Sequence, residues 1–147
     1  IFVIINIDDY IWKTLHYINE FNAKLTAMSK KTLVIGASLK PNRYSNIAIN
    51  RLVNYQHDVV AFGLRSGTVS GVSIDTELKP YTNIDTVTLY LNPQRQVDYY
   101  EYIISLNPKR VIFNPGTENP EFYKLLDAAN IKSEVACTLV LLSTNQY

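Results

Sequence analysis

The sequence predicts an α/β protein: a three-layer fold with a mostly parallel five-stranded sheet, helices on both faces, and an N-terminal helical extension. Three observations carry this expectation. From Lys31 onward, short β-rich runs alternate with helical stretches, the signature of βαβ units. Most of those β-rich runs are continuously apolar, as strands covered on both faces are. The chain has 147 residues and 47% hydrophobic content, enough for one compact core, so one domain is expected.

The first 27 residues have a different character. Ile11, Leu15, Ile18 and Leu25 recur at near-helical spacing with Trp12, Tyr17 and Phe21 beside them, which predicts one amphipathic helix over about 9–24. Met28-Ser29-Lys30-Lys31 reads like the natural start of a protein directly ahead of the first strand. Residues 1–27 are therefore expected to be an extension outside the functional unit, with the domain proper at 28–147. The other reading is a helix that packs on the domain or on a second copy. Strands follow at 32–36, 58–62, 86–91, 110–113 and 133–136. Between them, 45–55 place Ala48, Ile49, Leu52 and Val53 on one helical face, and 94–106 do the same with Val97, Tyr100, Ile103 and Ile104. The clearest helix is 120–130: Asn119 suits the N-cap, Pro120 the first turn, and Phe122, Leu125, Leu126 and Ala129 form the apolar stripe. Residues 63–84 hold Gly63, Gly67, Gly71 and Pro80 and read mostly as loop, with one short strand near Val72.

Composition narrows the function classes. Fourteen basic side chains balance thirteen acidic ones without a block of like charge, so nucleic-acid or membrane binding is not expected and any anion site is local. Apolar runs stop far short of the roughly 20 residues of a membrane span. The single Cys137 forms no internal disulfide, no Cys/His cluster has zinc spacing, and a cytoplasmic setting is the expectation.

In a doubly wound sheet, ligands bind outside the carboxyl ends of the strands. Four loops lie there. The first, Gly36-Ala37-Ser38-Leu39-Lys40-Pro41-Asn42-Arg43, keeps one glycine for a tight turn and close backbone approach, aims a helix N-terminus at its contents, and ends in a bidentate phosphate partner. It lacks the full dinucleotide fingerprint and the Walker lysine, and Pro41 makes it longer than a dinucleotide turn. The second loop runs Phe62-Gly63-Leu64-Arg65-Ser66-Gly67. Arg65 stands where an NAD enzyme needs a carboxylate, which favours a phosphorylated ribose, unless it is merely a solvated arginine. The third, Leu91-Asn92-Pro93-Gln94, is explained as well by helix capping. The fourth is Asn114-Pro115-Gly116-Thr117-Glu118-Asn119, where a proline-glycine turn leaves amides free to face a ligand or serves as a plain connection.

Val34-Ile35-Gly36-Ala37-Ser38 with Pro41 and Arg43, His57-Asp58-Val59-Val60, Gly71, and Asn114-Pro115-Gly116 occur in an order and spacing by which residues 31–140 resemble the small CoA-binding proteins. The domain of that family is similar to the CoA-binding domain of succinyl-CoA synthetase. The resemblance implies a Rossmann-like fold holding coenzyme A or an acyl-CoA. Carried over by position, Gly36, Ala37, Ser38 and Arg43 hold phosphates and Arg65 lies near the adenosine phosphate. Leu91, Asn92 and Pro93 line the adenine side, while Asn114, Pro115 and Gly116 face the pantetheine arm. Relatives tend to carry Asn-Pro just after the second strand, where this chain has Ala61-Phe62-Gly63-Leu64.

Residues for chemistry are few. His16 falls in the N-terminal helix, His57 in a turn at the opposite sheet edge, Cys137 after an apolar strand, and the carboxylates form no acid/base pair. A non-catalytic CoA-binding module is the first expectation, with a homodimer or a partner subunit left open. The alternatives are the CoA-carrying component of a multi-subunit NDP-forming acyl-CoA synthetase, an NADP-type oxidoreductase fragment, or a Rossmann-like domain that has lost its ligand and serves protein contacts.

Overall fold

The computed structural model describes residues 6–147. Its elements run α1 (Ile7–Met28), β1 (Thr32–Ala37), α2 (Tyr44–Asn54), β2 (Val59–Gly63), β3 (Gly67–Val69), β4 (Val72–Asp75), β5 (Thr86–Leu89) and α3 (Pro93–Gln96). A 3-10 turn (Val97–Tyr99), α4 (Tyr100–Ser105), β6 (Arg110–Phe113), α5 (Pro120–Ala128), β7 (Lys132–Val135) and α6 (Thr138–Ser143) complete the chain. The seven strands form one sheet in the order β3-β4-β2-β1-β5-β6-β7, with every pairing parallel except β3 against β4. The α/β class and the mostly parallel sheet are as the sequence predicts.

Among the described residues the sheet has seven strands, not the five expected. Val69 faces Val72 across an antiparallel register, and the two residues between them, Ser70 and Gly71, both have positive φ (50° and 79°). That is the backbone of a two-residue primed hairpin turn. The glycine-rich stretch therefore builds β3 and β4 instead of a loop with one strand. The segment expected as one helix over 94–106 is divided into α3, the 3-10 turn and α4. Thr138-Leu139-Val140-Leu141-Leu142-Ser143 adds the short α6, which the sequence reading leaves out.

Helices pack on both faces because successive residues of β1 are buried on opposite sides of the sheet. Leu33 and Ile35 join a cluster with Tyr100, Ile103, Phe122 and Leu126 from α4 and α5, while Val34 joins Ile49, Leu52 and Leu142 from α2 and α6. A strand buried on both faces has no polar face to show, which is why its sequence reads as a continuous apolar run. Helix α5 has the capping expected of it: Phe122 donates its backbone N–H to Asn119 Oδ1 at 3.2 Å, with Pro120 in the first turn. Helix α1 contributes no residue to either cluster and has no buried residue. Among the described residues, no helix is long and apolar enough to cross a membrane.

Candidate functional site

Strand order reverses its direction of growth at β1 and β5, the switch point where a crevice opens at the carboxyl ends. Two glycines let the strands approach closely there. Gly36 has φ +91°, and a Cβ on it would lie 3.0 Å from the Tyr90 carbonyl carbon and 3.1 Å from Leu91 Cδ2. The β1–β2 register slips between Ile35 and Ala37, so Ala37 pairs with Gly63, where a Cβ would sit only 2.3 Å from the Ala37 carbonyl oxygen.

The resulting cleft has a volume of about 520 Å³ and is walled by the ends of β1, β2, β5 and β6. Of the residues expected from the sequence, Gly36, Ala37, Ser38, Arg43, Gly63, Arg65, Leu91, Asn92, Pro115 and Gly116 line it. Pro41 lies in the exposed turn ahead of α2, and Pro93 is the first residue of α3. Asn114 is buried beneath the cleft. Its Nδ2 donates to Thr88 Oγ1 at 2.7 Å and to the Leu89 carbonyl at 2.9 Å, and its Oδ1 accepts the Thr138 N–H at 2.9 Å. Asn114 thus joins β5, β6 and the start of α6. The Tyr90 hydroxyl reaches towards the same threonines without a well-formed hydrogen bond, and burial pushes its phenol above the ordinary value.

The first loop is shaped by its own polar groups. Asn46 Nδ2 donates to the Ser38 carbonyl at 2.9 Å, the Lys40 N–H reaches Ser38 Oγ at 3.2 Å, and the Arg43 N–H returns to the Lys40 carbonyl at 3.1 Å. Arg43 stands at the N-cap of α2 but makes no side-chain capping bond. No side chain caps the first-turn amides of α2, and the Arg43 guanidinium forms no ion pair among the described residues.

Several lining residues are given no role of their own in the sequence reading: Leu39, Lys40, Tyr44, Ser45, Phe62, Leu64, Tyr90, Arg95, Tyr99 and Thr117. Lys40 lies inside the quoted loop and Arg95 only three residues beyond Asn92, so adjacency was the available signal. The two additional cations alter the electrostatics of the cleft. Lys40, Arg43, Arg65 and Arg95 are all exposed, none forms an ion pair among the described residues, and no carboxylate lines the cleft. Phe62 and Tyr99 meet edge to face at 5.5 Å and form an aromatic wall.

Beneath two of the loops lies a fully buried Gln96. Its Nε2 donates to the Leu91 carbonyl at 2.8 Å and the Thr117 carbonyl at 2.7 Å, and its Oε1 accepts from Asn119 Nδ2 at 2.9 Å. One side chain therefore ties the loop after β5 to the loop after β6. Strand β5 ends at Leu89, short of the 86–91 expected, and the Leu91 carbonyl beyond it accepts from Gln96.

The other candidate groups lie elsewhere. His57 sits at the opposite end of the strands, half-buried, with Nδ1 accepting the Lys30 N–H at 3.0 Å and its ring 4.8 Å from that of Tyr147. Burial first, then Lys30 and Arg110, hold its pKa below the ordinary imidazole value. His16 is on α1, stacked on Trp12, and Cys137 is a half-buried free thiol outside the cleft. Among the described residues, no group of three or more His, Cys, Asp and Glu side chains is placed to hold a metal ion.

Comparison with known proteins agrees with this architecture. A solved structure of an uncharacterized protein is 46% identical, covering 81% of this chain and 98% of its own, with a TM-score of 0.79. A hypothetical protein from Pyrococcus horikoshii OT3 is 26% identical over 87% of this chain and 90% of its own, with a TM-score of 0.72. A Thermus thermophilus protein, 21% identical over 88% of this chain and 98% of its own, shares the fold with a TM-score of 0.70. No curated protein matches the sequence. The family model of the CoA binding domain matches residues 30–143, most of the chain and all four loops of the cleft. By its sequence over that span and by the Rossmann-like sheet that carries the cleft, this chain belongs to the CoA-binding domain family.

Proposed function

We propose that the chain binds coenzyme A or an acyl-CoA in this cleft as a non-catalytic module. The observation that carries the proposal is the lining: four unpaired cations and no carboxylate around a switch-point crevice. A CoA 3′-phosphate and pyrophosphate together bring about four negative charges near neutral pH, a match in number and sign. In this reading Gly36, Ala37, Ser38 and Arg43, with the α2 amides, hold the pyrophosphate, and Pro41 shapes their loop. Arg65 meets the adenosine phosphate, Leu91, Asn92 and Pro93 lie along the adenine, and Pro115 and Gly116 face the pantetheine arm over the Asn114 brace. Lys40 and Arg95 join the phosphate partners. No His, Asp, Glu or Cys side chain is among the lining residues, which supports binding without chemistry.

Mass spectrometry of natively purified protein should show CoA or an acyl-CoA. NADP would favour an oxidoreductase fragment, consistent with Arg65 after the second strand of the sheet. A protein that stays empty and does not respond to added CoA would overturn the proposal. In thermal shift, CoA should stabilise more than dephospho-CoA, with Arg65→Ala narrowing the gap. Equal shifts for both ligands in the wild type would remove Arg65 from the phosphate site. Arg43→Ala should weaken CoA binding, and unchanged affinity would make the first loop a structural element only. Activity that appears only with an added nucleotide-grasping subunit would favour the synthetase-component reading.

A further inference from the structure

Helix α1 is 22 residues long, about 33 Å at 1.5 Å per residue, and none of its residues is buried. Ile7, Ile11, Ile18, Phe21 and Met28 are all exposed, and Leu25 is half-exposed. Such a helix is marginal in water without packing on its apolar face. The face has a specific repeat. Ile11, Ile18 and Leu25 are spaced by seven, and so are Ile7, Thr14, Phe21 and Met28, giving the alternating four-three seam of a coiled coil. Leu15 and Tyr17 flank the seam and widen it.

Two other occupants fit poorly. The polar side carries Asp8, Asp9, Glu20, Lys13 and Lys24, and Lys13 is already paired with Asp9 at 2.8 Å. An amphipathic helix that lies on an anionic bilayer needs a basic polar face, which this one lacks. The chain's own domain leaves the seam uncovered, because neither core cluster includes an α1 residue.

We infer that the seam of α1 pairs antiparallel with α1 of a second copy. In that orientation Ile7 packs on Leu25, Ile11 on Phe21 and Thr14 on Ile18, each twice, so every layer joins the two seven-residue series and no layer sets Thr14 against itself. The acidic first turn, Asp8 and Asp9, then lies towards the end of the partner helix that carries Lys24. A parallel, in-register pair would set Thr14 against its own copy in the seam and gather both acidic first turns, with Asp8 and Asp9, at one end. The pairing also leaves both clefts open. Helix α1 enters the domain through Ser29-Lys30-Lys31 at the start of β1, and the cleft lies at the opposite, carboxyl end of that strand.

The test uses the full chain. Sedimentation or light scattering should give twice the chain mass, and the double substitution Ile18→Asp/Leu25→Asp, outside both core clusters, should give a monomer with unchanged melting temperature. In a Cys137→Ser background, Ile7→Cys protein mixed with Leu25→Cys protein should form a heterotypic disulfide under mild oxidation. Those two positions lie about 27 Å apart along one helix, so the antiparallel pair forms no disulfide from Ile7→Cys alone. A wild-type monomer at every concentration, a disulfide between two Ile7→Cys chains, a dimer that survives the double substitution, or binding to phosphatidylserine vesicles by a monomeric chain would each overturn the inference. Because the cleft plays no part, these results do not depend on whether CoA binds.

Discussion

Gly63→Ala puts one methyl group where the first two parallel strands come closest. Gly63 is not among the positive-φ residues, so alanine meets no backbone strain and the effect is one of space alone. The added Cβ would lie 2.3 Å from the Ala37 carbonyl oxygen and 3.1 Å from its carbon, where ordinary contact begins at 3.4 Å. Both atoms are main chain and cannot rotate away, so β1 and β2 must part by about 1 Å, the kind of overpacking that costs about 2–3 kcal/mol. For a domain of this size that corresponds to a melting temperature lower by about 5–10 °C. The displaced residue, Ala37, opens the first loop of the cleft, so CoA affinity should fall about tenfold or more, as a misplacement of about 1 Å in a preorganised site does. Thermal unfolding by circular dichroism and calorimetric titration with CoA measure the two effects. Gly71→Ala is the control. Its Cβ meets nothing within 4 Å, its φ of +79° carries only the left-handed penalty of about 1–2 kcal/mol, and it lies outside the cleft, so CoA affinity should not change. If Gly63→Ala melted within about 2 °C of wild type and bound CoA equally well, the close approach of the strands would not be what shapes the loop.

Three further outcomes are expected. Asn114→Ala removes three buried hydrogen bonds and should cost about 2–4 kcal/mol in urea unfolding, leaving the Thr138 amide unpaired. Gln96→Leu leaves the Leu91 and Thr117 carbonyls without their donor, and should lower both stability and CoA affinity, since each carbonyl belongs to a cleft residue. On acidification the unfolded chain protonates His57 before the folded one does, because the folded pKa lies below the reference value of 6.5. The melting temperature should therefore hold above that value and fall as pH drops from it towards the folded pKa, and His57→Gln should flatten that fall.

The central strands were legible because burial on both faces leaves a signature in the chain: Leu33, Val34 and Ile35 are fully buried and all apolar. The β3–β4 hairpin was not, because the same Ser70-Gly71 pair that turns the chain also reads as flexible loop. The cleft was legible where it depends on main chain, at Gly36 and Gly63, and where an arginine follows a strand end. It was obscure where a side chain acts from beneath. Gln96 looks like one more polar residue at a helix start, and only the fold brings the Leu91 and Thr117 carbonyls to it. Asn114 shows the reverse: its place in the fourth loop points to the cleft, while the fold buries its side chain as a brace between β5 and the start of α6.

The two margins of the sheet have a consequence for the fate of the protein at high concentration. A parallel sheet invites new strands wherever a row of backbone groups is left open, and such addition is a common first step towards aggregates. Here one margin ends in β3, only three residues long and running against its neighbour. The other ends in β7, where Lys132 and Glu134 stand 3.6 Å apart and Glu134 also holds Arg110 at 3.0 Å. A short reversed strand at one side and paired charges at the other leave an incoming chain little to dock on, so strand addition at the sheet margins should contribute little to aggregation of the folded protein.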